Sequence, residues 1–363
     1  MGLNKISEIC FVGLTPPEAI ARNAVLADGL SRLGIHLMVC VVGTSGPGKF
    51  RDLARRLGAE ATESDLVLVG FTSSILVPPV KLLSRKPVVF NASHSLFEGM
   101  VEDRRAYSAG SARGIKCWLI DFFSFLFADL VLVESEAQKS YLHSKFFVSR
   151  KKMEVLHIGA DDRIFYPDET VSKLPTFTVA FRGGLLPATG VETVLRAAEL
   201  LRDEDMDFFI YGRGPAEQSL KSYASSRALS RVHFVTEFLQ PDELHAALLR
   251  SHVLLGNFSS HLRLERTIQN KVFEALALGM PFITRDSPSN REVLEDDVDC
   301  LFVPASDPEA LADGIKRLRA DPALCERIGR AALQHFRESG SPEAIGRRFV
   351  DIMRVHFVSP GNR

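Results

Sequence analysis

The sequence lacks the features that usually mark disulfide-rich, zinc-binding and nucleic-acid-binding chains. Its cysteines are odd in number, at five, and none forms a C-x-x-C pair, so neither a disulfide framework nor a metal site is expected. Basic and acidic residues almost cancel, to a net charge of −1, so no overall positive field points to nucleic acid. We therefore predict a globular protein of a reducing compartment, the cytoplasm, without a nucleic-acid partner.

The chain also has little that resembles a targeting or membrane segment. The first residues, MGLNKISEICFVG, contain a short apolar run but no small-residue cleavage site. A longer apolar run, residues 115–133, is interrupted by Asp121 and Asp129, and a charge near the centre of a bilayer is costly. We predict a buried helix to about Phe127 and then a strand. The alternative is a helix that touches a membrane surface, which would make the protein peripheral to the membrane.

Short apolar runs alternate with amphipathic helical patterns through the first half. The runs show little polar alternation, as in parallel strands that are buried on both faces. Strands that alternate with helices predict βαβ units and a doubly wound sheet. The predicted strands are ICFVGL (9–14), HLMVCVVG (36–43), DLVLVG (65–70), KPVVFN (86–91) and DLVLVE (129–134).

The pattern restarts after a charged segment with two prolines, residues 160–176, which is predicted to be a linker. The length of 363 residues suits two domains of about 150 residues each. The predicted strands of the second half are FTVAFRGG (177–184), DFFIYGRG (207–214), RVHFVTEF (231–238), HVLLGNF (252–258), PFITRD (281–286) and CLFVPA (300–305).

We predict an N-terminal domain over residues 1–165 and a C-terminal domain over residues 166–340. The last segment, 341–363, contains an apolar stripe at helical spacing within residues 342–357. This helix is predicted to cross back onto the first domain. Doubly wound sheets bind ligands outside the carboxyl ends of their strands, so two such sheets are expected to face each other across a ligand-binding cleft. A Rossmann dehydrogenase is disfavoured, because FVGLTPPEA after the first strand lacks the G-x-G-x-x-G spacing.

Four segments of the second half follow one family's motifs in order. They are VLHIGADDRIFYP (155–167), FRGGLLPATGVETVLRAAELL (181–201), FFIYGRGPAEQSLKSYA (208–224) and NKVFEALALGMPFIT (270–284). On these residues the chain resembles the group 1 glycosyltransferases, a retaining family, and within it a sub-branch with an N-K-V-x-E-A-L-A helix. The resemblance implies an α/β fold of the GT-B type, with two Rossmann-like doubly wound domains facing a cleft.

The resemblance also implies an activity. A sugar would move from a nucleotide-diphosphate sugar to an acceptor hydroxyl with retention of anomeric configuration, and the departing phosphate would take the acceptor's proton. No metal and no cofactor would be needed, and the acceptor, a sugar, lipid or small molecule, stays open. The alternative is a catalytically silent GT-B protein that binds or activates a partner.

The donor-side candidates lie in two segments. Gly183 and Gly184 would let backbone N–H groups approach a diphosphate, beside the start of the helix that follows. Asn270 opens the family's donor helix. Lys271 and Glu274 stand three residues apart on this helix and share a face, which places a cation for phosphate and a carboxylate for ribose hydroxyls in one site.

The sequence departs from the family pattern at its charged positions. The family's first motif glutamate is replaced by Arg266, and Glu265 is one position out of phase. Gly184 and Thr189 occupy the positions of the family's loop Arg and Lys. The arginines predicted to replace the missing charge are Arg182, Arg213, Arg263 and Arg266, of which Arg266 is also a candidate catalytic residue.

The first half supplies the acceptor-side candidates. The strand KPVVF (86–90) runs into a polar loop, NASHSLFEGMVEDR (91–104), which is expected at the mouth of the cleft. Asn91 is predicted to bind substrate, and His94 and Glu98 are the candidate catalytic residues of this loop. Gly13, in the turn after the first strand, is a further candidate for substrate binding.

Overall fold

The computed structural model describes residues 6–43 and 48–358, without the side chains of residues 48–52 and 58–60. The chain divides into two compact units. The first unit comprises Met1–Gly159 together with Ser341–Arg363, and the second unit comprises Ala160–Gly340. Each unit contains one six-stranded sheet in which all the described strand pairs are parallel.

In the first unit, strands and helices alternate along the chain, as the apolar runs predicted. The strands β3 and β5 both read LVLV and are buried on both faces. The elements are β1 (Glu8–Gly13), α1 (Ala21–Arg32), β2 (His36–Val41), α2 (Gly48–Glu63), β3 (Leu66–Val69), α3 (Val77–Leu83), β4 (Val88–Ser93), α4 (Ala112–Phe127), β5 (Leu130–Val133), α5 (Glu136–Phe146) and β6 (Met153–Val155).

The first sheet has the strand order β2-β1-β3-β4-β5-β6. One face carries α2, α3, α4 and α5, whose buried side chains form a core with alternate residues of the strands. The other face packs on α1 and on the last helix of the chain. Helices on both faces explain why the strands are continuously apolar and confirm the doubly wound fold.

The segment 115–133 forms a helix and then a strand, at the positions predicted from its apolar run. Asp121 is buried, and its carboxylate accepts hydrogen bonds from the backbone N–H groups of Leu96 and Phe97 at 3.1 and 2.7 Å. The expectation of a buried helix is wrong for one side of α4, which presents several large apolar residues to solvent. Among the described residues, no helix combines the length and apolar character needed to cross a bilayer.

The second unit repeats the alternation. Its elements are β7 (Phe177–Arg182), α6 (Val191–Leu200), β8 (Met206–Tyr211), α7 (Glu217–Ser226), β9 (Val232–Val235), α8 (Pro241–Leu249), β10 (Val253–Leu255), α9 (Asn270–Leu278), β11 (Phe282–Arg285), β12 (Leu301–Val303), α10 (Pro308–Ala320) and α11 (Pro322–His335). The core of this unit joins the strands to α6, α7, α10 and α11.

The second sheet has the order β12-β11-β10-β7-β8-β9. After β7 the chain adds strands on one side of the sheet as far as β9, and it then returns to the other side of β7 with β10. The connections that leave the carboxyl ends of β7 and β10 therefore diverge, and this switch point is where doubly wound sheets hold ligands.

The segment 160–176, predicted to be a linker, is anchored to the second unit. The backbone N–H of Ala160 donates to the carbonyl of Gly340 at 3.1 Å, and the ring of His245 hydrogen-bonds the carbonyl of Tyr166 at 2.9 Å. The ammonium group of Lys173 donates to the carbonyls of Leu249, the last residue of α8, and of Ser251 just beyond it. These contacts place residues 160–165 in the second unit, whereas the sequence analysis assigns them to the first.

The last helix, α12 (Pro342–Phe357), belongs to the first unit. It packs on α1 at an unusually close approach of two glycines. A Cβ atom on Gly29 would lie 1.9 Å from the carbonyl oxygen of Pro342, and one on Gly346 would lie 2.7 Å from the backbone of Gly29. The absence of side chains at these positions lets Phe349 and its apolar neighbours on α12 reach the face of the sheet.

Candidate functional site

The switch point of the second sheet brings together side chains from β7, α9 and the end of β10. We call Arg182, Asn257, Lys271 and Glu274 the switch-point cluster. Arg182 ends β7, Asn257 follows β10, and Lys271 and Glu274 lie in the first two turns of α9. The spacing of Lys271 and Glu274 in the sequence had already placed them on one face of a helix. The structure adds Arg182 and Asn257, which come from the ends of two strands.

Two glycine turns shape the backbone beside this cluster. The N–H of Gly183 donates to the carbonyl of Tyr211 at 2.9 Å, and the N–H of Leu185 donates to that of Arg213 at 2.8 Å, so the turns after β7 and β8 are joined. Gly183 and Gly212 have φ of 151° and 146°, which L side chains rarely adopt. A Cβ on Gly212 would lie 1.9 Å from the carbonyl oxygen of Gly183.

An ion pair occupies the centre of the cluster. Nη1 of Arg182 donates to both carboxylate oxygens of Glu274, at 2.7 and 2.9 Å. Burial raises the pKa of Glu274, and the neighbouring Arg182 opposes that shift. A carboxylate has about four acceptor positions, so Glu274 retains acceptor capacity beyond the two bonds from Arg182.

The amine of Lys271 lies under the backbone of the glycine turn. Nζ sits 3.8 Å from the centroid of the Phe181 ring and donates to Oδ1 of Asn257 at 2.7 Å. A Cβ on Gly183 would lie 2.8 Å from this nitrogen, so the glycine leaves the space that the amine fills. Burial, with the positive charge of Arg182 nearby, lowers the pKa of Lys271 to about 7.

A cavity of about 400 Å³ opens beside the turns. Its wall includes the guanidinium-bearing Arg182, the two turns and the exposed ring of Phe238. The lining residues are Arg182, Gly183, Gly184, Tyr211, Gly212, Arg213, Val235, Glu237, Phe238, Leu239 and Leu244. The cavity therefore offers backbone, cationic and aromatic surface in one place.

The remaining donor-side candidates are distributed around the cluster. Gly184 and Asn270 are exposed. Arg213 lines the cavity, with Nε donating to the carbonyl of Thr236. Arg263 and Arg266 are both partly buried, in and directly after a short 3₁₀ turn that precedes α9.

Glu265, the out-of-phase glutamate, has a defined partner. Its carboxylate binds the guanidinium of Arg285, a residue that is 3% exposed and that also donates to the carbonyl of Ser259 at 2.6 Å. Glu265 is therefore committed to a structural ion pair. Across the described residues, no group of three or more potential metal-binding side chains occurs.

Sequence reasoning missed Phe181 and Asn257. The sequence pattern indicates only that Phe181 is a core residue of a strand. The structure shows that its ring also contacts Nζ of Lys271. A signal did exist for Asn257, a polar residue directly after the apolar strand HVLLGNF. The position of β10 next to β7, which brings Asn257 to the switch point, is not encoded by local spacing.

In the first unit, Asn91 lies in a buried polar network and is only 1% exposed. Its Oδ1 accepts from Nε of Arg22 at 2.7 Å, and its Nδ2 donates to Oδ1 of Asn23 at 3.1 Å. Arg22 was not singled out from the sequence, although an arginine in the first turn of a core-facing helix is uncommon. Burial lowers the pKa of Arg22 to about 10, against the opposing charge of Glu134, and its two Nη atoms are buried without a protein partner.

His94 is partly buried at the end of β4 and lies edge-on to the ring of Phe71, with centroids 4.8 Å apart. The preceding residue, Ser93, has a φ of +55° and donates to Glu134 at 2.8 Å. This strained residue turns the chain away from β4 and sets the position of the histidine ring.

Glu98 and Gly13 lie deeper than expected for residues that contact an acceptor. Glu98 has no exposed surface; its Oε2 accepts from the amide of Gln138 at 2.8 Å. Its role in the described structure is to hold the loop after β4 onto α5. A Cβ on Gly13 would lie 2.6 Å from the carbonyl oxygen of Thr15, so the turn itself requires this glycine.

The comparisons with known proteins address the second unit most directly. Residues 162–335 match the family described as glycosyl transferases group 1. This match covers almost the whole of the second unit, including the switch-point cluster and the cavity beside it.

Curated relatives and solved structures extend the comparison. The alpha-D-kanosaminyltransferase of Streptomyces kanamyceticus is 26% identical over 178 residues, which are 48% of this chain and 45% of that protein. The D-rhamnosyltransferase WbpZ of Pseudomonas aeruginosa is 26% identical over 194 residues, 52% of this chain and 50% of that protein. The chain thus spans about half the length of the curated relatives it matches.

The fold of both units is shared with solved glycosyltransferase structures. Anabaena HepE, crystallised with UDP, covers 96% of this chain with a TM-score of 0.74 at 15% identity, and all of HepE is matched. Sucrose-phosphate synthase from Thermosynechococcus elongatus covers 97% with a TM-score of 0.73 at 16% identity, and 99% of that chain is matched. The fold is therefore GT-B, as the motifs of the second half predicted.

Proposed function

We propose that this protein is a retaining glycosyltransferase whose second unit binds a nucleotide-diphosphate sugar at the switch-point cluster. The observation that carries the proposal is the convergence of Arg182, Lys271 and Glu274 at the carboxyl ends of β7 and β10. Nucleotide-sugar donors are supported by neighbours of the same fold, since HepE was crystallised with UDP-glucose.

The diphosphate is assigned to the two cations and the glycine turn. Arg182 presents a planar fork of donors that suits phosphate oxygens, and Lys271 adds a point charge directly behind the turn. The amine of Lys271 lies over an aromatic ring, and its pKa is lowered. A bound anion would raise that pKa and restore the positive charge of the amine. Leaving-group charge is thus stabilised by side chains and backbone, and we propose that no metal or cofactor takes part.

The nucleoside is assigned to Glu274 and the cavity. Glu274 is only 6% exposed and keeps free acceptor positions beside its bonds from Arg182, so it suits the ribose hydroxyls. The exposed ring of Phe238 and the two turns offer a flat, partly apolar wall for a base.

The acceptor is assigned to the first unit, with His94 next to it and the Arg22–Asn91 network behind it. In the proposed reaction the acceptor oxygen bonds to the anomeric carbon while the bond to the diphosphate breaks. The departing phosphate takes the hydroxyl proton on the same face of the sugar, so configuration is retained. All five cysteines are free thiols, which supports the further proposal of a reducing, cytoplasmic setting.

A thermal-shift screen of UDP-, GDP-, ADP- and dTDP-sugars tests donor binding, because a ligand that binds only the folded state raises the melting temperature. A sugar-transfer assay with the stabilising donor then tests catalysis. Stabilisation without turnover over a broad acceptor panel would favour a catalytically silent binding protein. The absence of any stabilisation would remove the donor site.

Replacing Glu274, whose carboxylate is assigned to the ribose hydroxyls, should weaken donor binding. For Glu274→Ala we expect an affinity loss of about 1–3 kcal/mol, since ribose hydroxyls would lose their charged acceptor. Calorimetry with the stabilising nucleotide sugar measures this loss. Glu192→Ala, which removes an exposed carboxylate in an ion pair on α6, is the matched control. Wild-type affinity in folded Glu274→Ala would exclude Glu274 from the site.

Donor binding should also depend on pH through Lys271. The pKa of free Lys271 is lowered to about 7, and a diphosphate favours the charged form and so raises that pKa. Affinity should therefore be constant below the free pKa and fall as the pH rises above it. Between the free pKa and the higher pKa of the bound state, binding should take up close to one proton.

Calorimetry with the stabilising nucleotide sugar in buffers of different ionisation enthalpy measures this proton uptake, because the diphosphate diester of such a donor does not titrate in the range. Lys271→Arg is the control, since the guanidinium stays charged throughout. Its affinity should show no such pH dependence. Equal proton uptake by the wild type and Lys271→Arg would rule out Lys271 as the titrating group.

Arg266 is the remaining candidate for the charge that the family's motif residues supply. If it contacts the donor, Arg266→Ala should lower turnover about tenfold or more, and Arg266→Lys should retain part of it because the charge is kept without the bidentate fork. Steady-state turnover by the three proteins decides the matter. Equal rates in all three would remove Arg266 from the mechanism.

A further inference from the structure

The outer side of α4 is an apolar surface where a solvent-facing helix would ordinarily be polar. Its large exposed residues follow one another at spacings of four, four and three along the helix, so they form one stripe. We call this the α4 stripe: Ile115 (49% exposed), Leu119 (41%), Phe123 (44%) and Leu126 (56%). It runs over most of the 16 residues of α4, on the side opposite the core.

The exposed charges on this helix are all positive. Arg113 and Lys116 are exposed, whereas Asp121, the only acidic residue of α4, is 1% exposed and accepts two backbone hydrogen bonds. The exposed surface of α4 is therefore apolar and basic and carries no carboxylate.

Basic residues continue at both ends of the stripe. Before α4, Arg104 and Arg105 are exposed, and Arg113 stacks over the ring of Tyr107 at 5.5 Å. At the other end, Nζ of Lys152 donates to the carbonyl of Leu126 at 2.7 Å.

Two acidic side chains next to the helix are held in ion pairs, and Asp103 is partly buried beside Arg104. Asp129, two residues beyond α4, pairs with Lys81 at 2.6 Å, and Glu102 pairs with Lys145 at 3.1 Å. Lys81 directly precedes Leu82 and Leu83, two further exposed apolar residues, at the end of α3.

We propose that the α4 stripe docks on an anionic lipid bilayer, with its apolar side chains in the interfacial region and its basic flanks on the head groups. Apolar and aromatic residues with Lys and Arg beside them are the composition of helices that lie in the membrane interface. Each basic residue near an anionic surface adds favourable electrostatic energy. The inference rests on the first unit alone and does not depend on the donor site.

The charge pattern favours a bilayer over a second copy of the chain. Two α4 surfaces facing each other would oppose basic side chains, with no exposed carboxylate on either helix to pair with them. A bilayer containing anionic lipid supplies the missing negative charge across the whole surface, including both ends of the stripe.

Trp118 makes the proposal testable without a label. It is the chain's single tryptophan and lies on α4, partly buried and stacked on Phe122 at 5.0 Å between centroids. Vesicles of phosphatidylcholine with phosphatidylglycerol should bind the full chain in flotation assays, and brominated acyl chains should quench Trp118. Binding should be weaker at high salt and with phosphatidylcholine alone, because exposed charges are screened.

A pair of double variants separates the stripe from general hydrophobicity. Leu119→Ser/Phe123→Ser removes two exposed side chains of the stripe. Leu200→Ser/Val355→Ser removes two exposed apolar residues elsewhere, which are 52% and 81% exposed. We expect the first to lower vesicle partitioning about tenfold or more and the second to leave it unchanged. Circular dichroism and melting temperature confirm that both remain folded.

Three results would overturn the proposal. The first is no binding to anionic vesicles at low salt. The second is equal partitioning by the stripe variant and the control variant. The third is a concentration-dependent dimer in sedimentation that only the stripe variant abolishes, which would assign the surface to a second copy instead.

Discussion

Truncation of the chain after Gly340 should unfold the first unit and leave the second folded. The truncated protein loses α12, whose Ile345, Phe349, Ile352 and Met353 are at most 3% exposed in the core shared with α1 and the sheet. At about 1.5–3 kcal/mol for each buried side chain, the loss is about 6–12 kcal/mol. This matches the whole stability of a typical domain.

Hydrogen exchange resolved along the sequence measures the effect. Amides of the first unit, residues 6–159, should lose protection, whereas those of residues 177–340 should keep it. A milder variant, Gly346→Val, introduces a side chain 2.7 Å from the backbone of Gly29 and should destabilise the same region. Val355→Ser, on the exposed side of α12, is the control. Unchanged exchange in the first unit of the truncated protein would contradict the packing of α12.

Replacement of Arg182 by methionine should destabilise the second unit by about 2–3 kcal/mol. Glu274 would keep its buried position without its cation, and loss of one partner of a buried pair leaves an uncompensated charge. The side chain of Arg182 is itself 35% exposed, so the cost lies below that of a fully buried pair. The loss should shrink as the pH is lowered, since a protonated Glu274 tolerates burial.

A double-mutant cycle isolates this interaction. Arg182→Met/Glu274→Gln removes both charges, and we expect it to regain most of the stability lost in Arg182→Met. Denaturant-dependent hydrogen exchange of α9 and β7 reports on the second unit separately from the first. Equal losses in the single and the double variant would show that the ion pair does not account for the cost.

Much of the switch-point cluster could be predicted from the sequence because the motifs that indicate it are local. Lys271 and Glu274 share a helix face through their spacing, and Gly183 ends a strand in a turn that L side chains rarely adopt. Local spacing did not reveal that Arg182 pairs with Glu274, 92 positions away. Nor did it reveal that Asn257 and the ring of Phe181 enclose Nζ of Lys271. Those contacts depend on which strands are neighbours in the sheet.

The first unit was less accessible to sequence reasoning. Asn91, His94 and Glu98 were grouped because they share a loop, yet Asn91 joins a network with Arg22 from α1 and Glu98 faces Gln138 from α5. The sequence pattern of a polar residue after a strand is the same whether its side chain faces a ligand or supports the loop. Its partner, which lies far away in the sequence, decides between the two.

The sequence by itself determined the alternation of strands and helices and the helix that carries Lys271 and Glu274, because periodicity and short motifs act over a few turns of chain. Its resemblance to a known family added the expectation of the GT-B fold. The tertiary structure decided which charges pair and which apolar stripe is covered. The stripes of α4 and α12 are alike in composition, but α12 packs on α1, where two glycines permit close approach. The α4 stripe lies outside the core because the opposite side of that helix already covers the sheet.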